Sequence, residues 1–178
     1  MKTSYDGRDI PIPHSSLAEK FWTYSLDVYG RPGVRSALLD LQDEAGLDIN
    51  CVLFCCWTGT AGYSALDRAE IEAILGISRD WNTRIVAGLR AVRKALKERG
   101  AGHDDASDLR TAVKDLELEA ERIQQTLLAG VLTRPPDVAS SIAISRANVD
   151  AYLEACACRL TPRLRGSLEH VATACAYR

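Results

Sequence analysis

Four polar residues crowd one short stretch of the chain. Gln42, Asp43, Asp48 and Asn50 flank a turn that leads into an unbroken apolar run, Cys51 to Trp57. A carboxylate at the mouth of such a run can give or take a proton, and amides beside it can orient a small molecule. With Trp22, Tyr29 and Trp57 as walls, these residues make a candidate ligand pocket. Each also has plainer work available. Asp48 can cap the following helix, Asn50 can bond turn backbone, Gln42 can satisfy a buried carbonyl, and Asp43 can face water.

Other chemistry-bearing types are more scattered. Cys51 and Cys55 share a helix face with Cys56 next to it, but a closed zinc site needs four ligands. His14, His103 and His170 lie far apart, and Cys156-x-Cys158 points two ways on a helix. No metal site and no cofactor are therefore expected, and the thiols read as core residues. Asp104-Asp105-x-x-Asp108 spells the aspartate-rich pattern that holds magnesium and diphosphate in isoprenoid synthases. It precedes a helix, where dipole and capping interactions account for it. Asp40-x-x-Asp43-Glu44 reads as a solvated face. Arg90, Arg93, Lys94 and Lys97 form a true helical stripe, a candidate surface for an acidic partner. Phosphate loops, nucleophile elbows and Cys-x-x-Cys pairs are absent from the sequence.

The totals narrow the function class. At 178 residues with 47% hydrophobic and 26% charged residues, the composition is that of a soluble globular chain. A net charge of −2 is wrong for a general nucleic-acid binder. The apolar run Ile49 to Trp57 is about half the ~20 residues a membrane span needs, so no membrane insertion is expected. The first ten residues carry no apolar signal segment, and a cytoplasmic location is the expectation.

The elements that must position these residues are all helical. After a lead-in over 1–14, Ser16-x-x-Glu19 reads as a capping box for a helix with Leu17, Phe21, Tyr24 and Val28 in one stripe. A second helix starts near Pro32-Gly33, carries Val34, Leu38, Leu41 and Ala45, and closes on Gly46 as a left-handed cap. The third, about 49–58, is apolar all round and so belongs in the middle of the molecule. Ser64-x-x-Asp67 signals a short fourth helix ending at Gly76, and Ser78 caps a fifth with Trp81, Ile85, Leu89, Val92 and Leu96 inward. Residues 100–107 read as a linker. Beyond it, Leu109, Val113, Leu116, Ala120, Ile123 and Leu127 make an amphipathic helix over 105–129. Pro135-Pro136 breaks the chain before two last helices, one striped by Val149, Leu153, Cys156 and Leu160 and one entered through Thr161-Pro162.

One stretch has a family look. Trp22-x-x-Ser25-Leu26-x-x-Tyr29-x-x-Pro32-Gly33-Val34, then Leu38-Leu39-x-Leu41-Gln42-Asp43-x-x-Gly46-x-Asp48-x-Asn50, then Leu53-Phe54-x-x-Trp57 resembles a family of small all-helical proteobacterial proteins of unknown function. Trp81-x-x-x-Ile85-x-x-x-Leu89-Arg90-x-x-Arg93-x-x-Leu96-Lys97 is similar to that family's next block. The resemblance covers about 17–99. It implies a helical bacterial cytosolic protein and no particular activity.

The expectation is an all-α bundle around a buried central helix. Residues 15–178 form one domain, with a family-like core over 15–99 and a helical extension over 105–178 packed on it. With no convergent nucleophile–base or metal set, the leading function is a non-catalytic adaptor that meets a protein partner. Its contact would be the basic stripe or helix 105–129, the latter also a route to a homo-oligomer. The alternative is a small-ligand-binding protein or enzyme that uses the pocket at Gln42, Asp43, Asp48 and Asn50.

Overall fold

A computed structural model describes residues 16–100 and 104–176. The expected lead-in over 1–14, together with His14 and His103, lies outside the described residues. Within them the fold is all-α, with no strand. In order the elements are α1 (Ser16–Tyr29), α2 (Val34–Ala45), α3 (Ile49–Thr60), α4 (Arg68–Ile77), a π-wound segment (Ser78–Val86), α5 (Ala87–Arg99), α6 (Asp104–Ala129), α7 (Ile142–Ala155) and α8 (Pro162–Ala176). No helix among the described residues is long and apolar enough to cross a membrane.

The central helix is where its composition puts it. Every residue of α3 from Cys51 to Gly59 is buried. Asp48 caps its start, Oδ1 accepting from the Asn50 backbone N–H at 3.1 Å. The principal neighbour of α3 is α7, with α1, α2, α6 and α8 completing the surround. The Ser145 hydroxyl of α7 donates to the Cys56 carbonyl at 2.7 Å, and Asn148 donates to Thr58 Oγ1 at 2.9 Å. Trp57 belongs to this interior. Its ring lies 5.1 Å from that of Phe21 and 6.0 Å from that of Phe54.

At the entrance to α3 the backbone obeys the sequence signals. Gly46 takes φ 66°, and its N–H closes α2 on the Leu41 carbonyl. That left-handed turn swings the chain so that Leu47 is buried and Asp48 meets the start of α3.

Two expectations need correction. The break at Gly76 and the fresh cap at Ser78 do not occur. Ser78 is helical (φ −59°, ψ −47°), its N–H bonds Ile74 and Leu75 carbonyls, and the helix runs on from Arg68 to Arg99. A lone glycine costs a helix only ~1 kcal/mol, which packing readily overrides. The cap for this long helix is Asp67, in a reciprocal box with Glu70. Within it, the π-wound segment adds a residue per turn and rotates the remainder of the helix about its axis. Val86 is therefore buried, whereas Ile85 and Val92, expected inward, are exposed.

The second correction concerns α6. Its buried seam is Val113, Glu117, Ala120, Gln124 and Leu128, which keeps Val113 and Ala120 of the expected stripe but not its leucines. At about 100° per residue, Leu109, Leu116 and Leu127 fall together on one flank of that seam, and all three are exposed. Leu118, Glu121 and Gln125 fall on the other flank, which borders a cleft.

Candidate ligand cleft

The cleft measures about 480 Å³ and opens between α1, α2, the entrance to α3, the π-wound segment, α5 and α6. Trp22, Leu26, Leu53 and Leu118 give it apolar walls. Five of the seven residues singled out for a pocket border it: Trp22, Tyr29, Gln42, Asp48 and Asn50. The other two do not. Asp43 sits half-exposed at the surface, 3.2 Å from Lys94 Nζ of α5 and about a quarter-turn of α2 away from Gln42. Trp57 is packed in the aromatic core.

Sequence reasoning missed the groups that α5, α6 and their neighbours bring to the cleft: Arg35, Asn82, Leu118, Glu121 and Gln125. One signal for them was available. Helices joined by a short linker pack antiparallel, and Arg90 and Arg93 at i, i+3 on α5 complement Glu117 and Glu121 at i, i+4 on α6. Arg90 Nε donates to Glu117 Oε1 at 2.8 Å and its Nη2 donates to Glu121 Oε1 at 2.9 Å, while Arg93 Nε bonds Glu117 Oε2. The basic stripe expected to meet a partner is thus largely occupied within the chain. Arg90 and Arg93 face α6, Lys94 faces Asp43, and Lys97 stays exposed.

At the floor, side-chain amides form a chain that starts on a carboxylate. Gln124 Nε2 donates to Asp48 Oδ2 at 2.6 Å. Asn50 Nδ2 donates to Gln124 Oε1 at 2.9 Å, and Gln125 Nε2 donates to Asn50 Oδ1 at 2.8 Å. The far end, Gln125 Oε1, is buried with no hydrogen-bond partner. It is the one such side-chain atom among the described residues. Asp48 and Gln125 are each about 5% exposed or less.

Burial pushes the Glu121 carboxyl above the usual carboxylate range, with Arg90 opposing and Glu117 and Asp48 reinforcing. Burial likewise raises the Tyr29 phenol, and the Glu121 charge adds to it. The cleft therefore offers one carboxyl whose hold on a proton is strengthened by burial, a bordering residue with a buried unpartnered acceptor, and aromatic walls. Arg122 stacks over the Trp22 ring at 5.6 Å.

Four cysteines, Cys51, Cys55, Cys56 and Cys175, pack in the interior as expected. Cys156, expected in an inward stripe, is exposed because α7 ends at Ala155 and Cys156 is its C-cap, and Cys158 is half-buried. Cys51, Cys55 and Cys56 are fully buried in α3, and burial pushes the first two thiols up, Asp48 adding to the shift at Cys51. No group of three His, Cys, Asp or Glu among the described residues is placed to hold a metal ion.

No curated protein and no solved structure matches the chain. A family model does, over residues 20–128. The resemblance drawn from the tryptophan and glycine pattern ended near residue 99, whereas the match continues through α6. It spans every residue bordering the cleft, from Trp22 to Gln125, and leaves α7 and α8 outside. The chain belongs to the family described as protein of unknown function (DUF2390).

Proposed function

We propose that this protein, a helical protein of the bacterial cytosol, binds a small molecule in the cleft between α1, α2, the start of α3 and α6. The observation that carries the reading is the buried, unpartnered Oε1 of Gln125, a residue that borders the cleft. Buried acceptors without partners are rare, and each costs about 1–3 kcal/mol. A volume of about 480 Å³ with apolar walls and a few convergent polar groups falls in the range of small-ligand sites. Trp22 borders the cleft, whereas Trp57 lies in the core and Trp81 donates to the Ala120 carbonyl at 2.8 Å. A fragment library screened by two-dimensional NMR on the full chain should give hits that shift the Trp22 indole and the Asn50 and Gln125 side-chain amides together. Tryptophan fluorescence should respond to the same hits, and Trp22→Phe should abolish that response. A library whose hits all fall elsewhere on the surface would sink the reading.

A second reading, contact with a protein partner or a second copy, draws on α6. Leu109, Leu116 and Leu127 stand exposed in one line along its outer flank. Under it, light scattering of the wild type gives a mass above that of one chain, and Leu116→Glu returns it to the monomer value. A monomeric wild type removes the second-copy version.

A further inference from the structure

The amide chain at the cleft floor has a direction, and Asp48 sets it. A carboxylate only accepts hydrogen bonds, so Gln124 must turn its NH2 toward Asp48 Oδ2. Its oxygen is then left to accept from Asn50 Nδ2. Asn50 in turn shows its own oxygen to Gln125, which must donate through Nε2 and leave Oε1 at the end. In an isolated amide the oxygen and nitrogen can be exchanged by a flip. Here no single flip is tolerated, because each would set two acceptors or two donors against each other.

We infer that Asp48 is a specificity-determining residue that acts through Gln124, Asn50 and Gln125 to make the cleft floor an acceptor, so that the cleft takes a small planar or aromatic ligand with an N–H or O–H donor and rejects isosteres that only accept. This rests on the cleft being a binding site. Three further features agree with it. Asp48 is 5% exposed and no cationic side chain among the described residues bonds it, so the carboxylate polarises the chain toward Gln125. Gln125 Oε1 has almost no accessible surface while Gln125 itself borders the cleft, so a donor meets it once a neighbouring wall side chain shifts. The walls beside it include Leu26 and Leu118, about half-exposed side chains able to change rotamer as a ligand enters.

The carboxylate geometry also supplies a reversal. Asp48 Oδ1 holds the Asn50 backbone N–H, and Oδ2 holds Gln124. In Asp48→Asn the side-chain oxygen keeps the cap, and the new NH2 stands where Oδ2 stood, donating to Gln124. Each amide then turns over, and Gln125 ends the chain with an NH2 instead of an oxygen. Asp48 is thus a positioning residue, and its replacement inverts a preference instead of merely weakening binding.

The test uses indole, whose ring N–H only donates, and benzoxazole, whose ring atoms only accept, titrated into the full chain by NMR. Wild type should bind indole about tenfold tighter than benzoxazole, the penalty of facing two acceptors across a buried contact. Asp48→Asn should reverse the order, and Gln125→Leu, which keeps bulk and removes both amide atoms, should bind the two alike. Side-chain amide exchange provides a readout without ligand. The Gln125 NH2, bonded to Asn50 Oδ1 in wild type, loses that acceptor in Asp48→Asn and should exchange faster there, while the Gln124 NH2 keeps an acceptor and its protection in both. Cleft binding with no preference, or with the same preference in Asp48→Asn, overturns this inference and leaves the cleft reading standing. If neither fragment moves a cleft resonance in either protein, the binding reading falls and the ligand class with it. The direction of the amide chain is then decided by the exchange data alone.

Discussion

Glu117→Gln is expected to cost about 2–4 kcal/mol of stability, while Glu121→Gln, one turn further along α6, costs nothing or stabilises. Glu117 is the shared anchor of the α5–α6 contact. Its side chain is 8% exposed and accepts from both Arg90 and Arg93. The amide keeps one acceptor but turns an NH2 toward two guanidinium groups that have little water around them. Glu121 holds a single bond to Arg90 and sits against the cleft, where burial already favours its protonated form. An amide is the neutral form made permanent.

The pH dependences should have opposite signs. Burial alone would raise Glu117, but the hydrogen bonds and charges of Arg93 and Arg90 outweigh it and leave its carboxyl below the ordinary value. Its contribution is therefore complete above the unfolded-state value and is lost as pH falls through the lowered folded one. For Glu121 the folded value is raised, so stability is greatest below the unfolded value and declines as pH rises through the folded one. Urea midpoints from about pH 3 to about pH 8 read both effects. Relative to wild type, Glu117→Gln should lose most at neutral pH and converge toward it in acid, whereas Glu121→Gln should gain most at neutral pH. Equal deficits for the two variants would refute the assignment of Glu117 as anchor and Glu121 as a strained cleft carboxyl.

These two glutamates also mark where local pattern stopped being informative. The central helix could be read from Cys51 to Trp57 alone, because a run with no polar face has only one place to go. The Gly46 turn and the Asp48 cap were equally legible, each being a local conformational demand met by a residue suited to it. The inward face of α6 was not. Leu109, Leu116 and Leu127 fit a heptad better than Glu117 and Gln124 do, yet the polar pair is buried and the leucines are exposed. What decides is partnership across the chain. Glu117 meets two arginines on α5, and Gln124 bridges Asp48 to Asn50. A buried polar residue costs little once its partners are in place, and periodicity says nothing about partners far away in sequence. The cleft was half legible for the same reason. The residues contributed by α1, α2 and the α3 entrance stood out as an excess of polarity around one turn, whereas Glu121 and Gln125 carry no such local signal.

Gly59→Ala should be among the most damaging small substitutions, at about 2–4 kcal/mol, although alanine is the better helix former. A Cβ on Gly59 would stand 2.5 Å from the backbone nitrogen and the hydroxyl of Ser145 and 2.8 Å from the Ser141 carbonyl. Two of these atoms belong to the backbone at the start of α7, so no rotamer change relieves the clash and the helices must separate. Separation strains the Ser141 N–H bond to the Gly59 carbonyl at 2.9 Å and the Ser145 hydroxyl bond to the Cys56 carbonyl. Gly76→Ala supplies the control. A Cβ there meets nothing within 4 Å, so removing a glycine from a helix interior should stabilise by about 0.5–1 kcal/mol. Urea midpoints that move in opposite directions would establish close approach of α3 and α7 as the cause, and parallel movement would exclude it. The pair also separates scaffold from site. No residue of α7 borders the cleft, so Gly59→Ala, while still folded at low temperature, should keep the fragment preference that Asp48→Asn reverses.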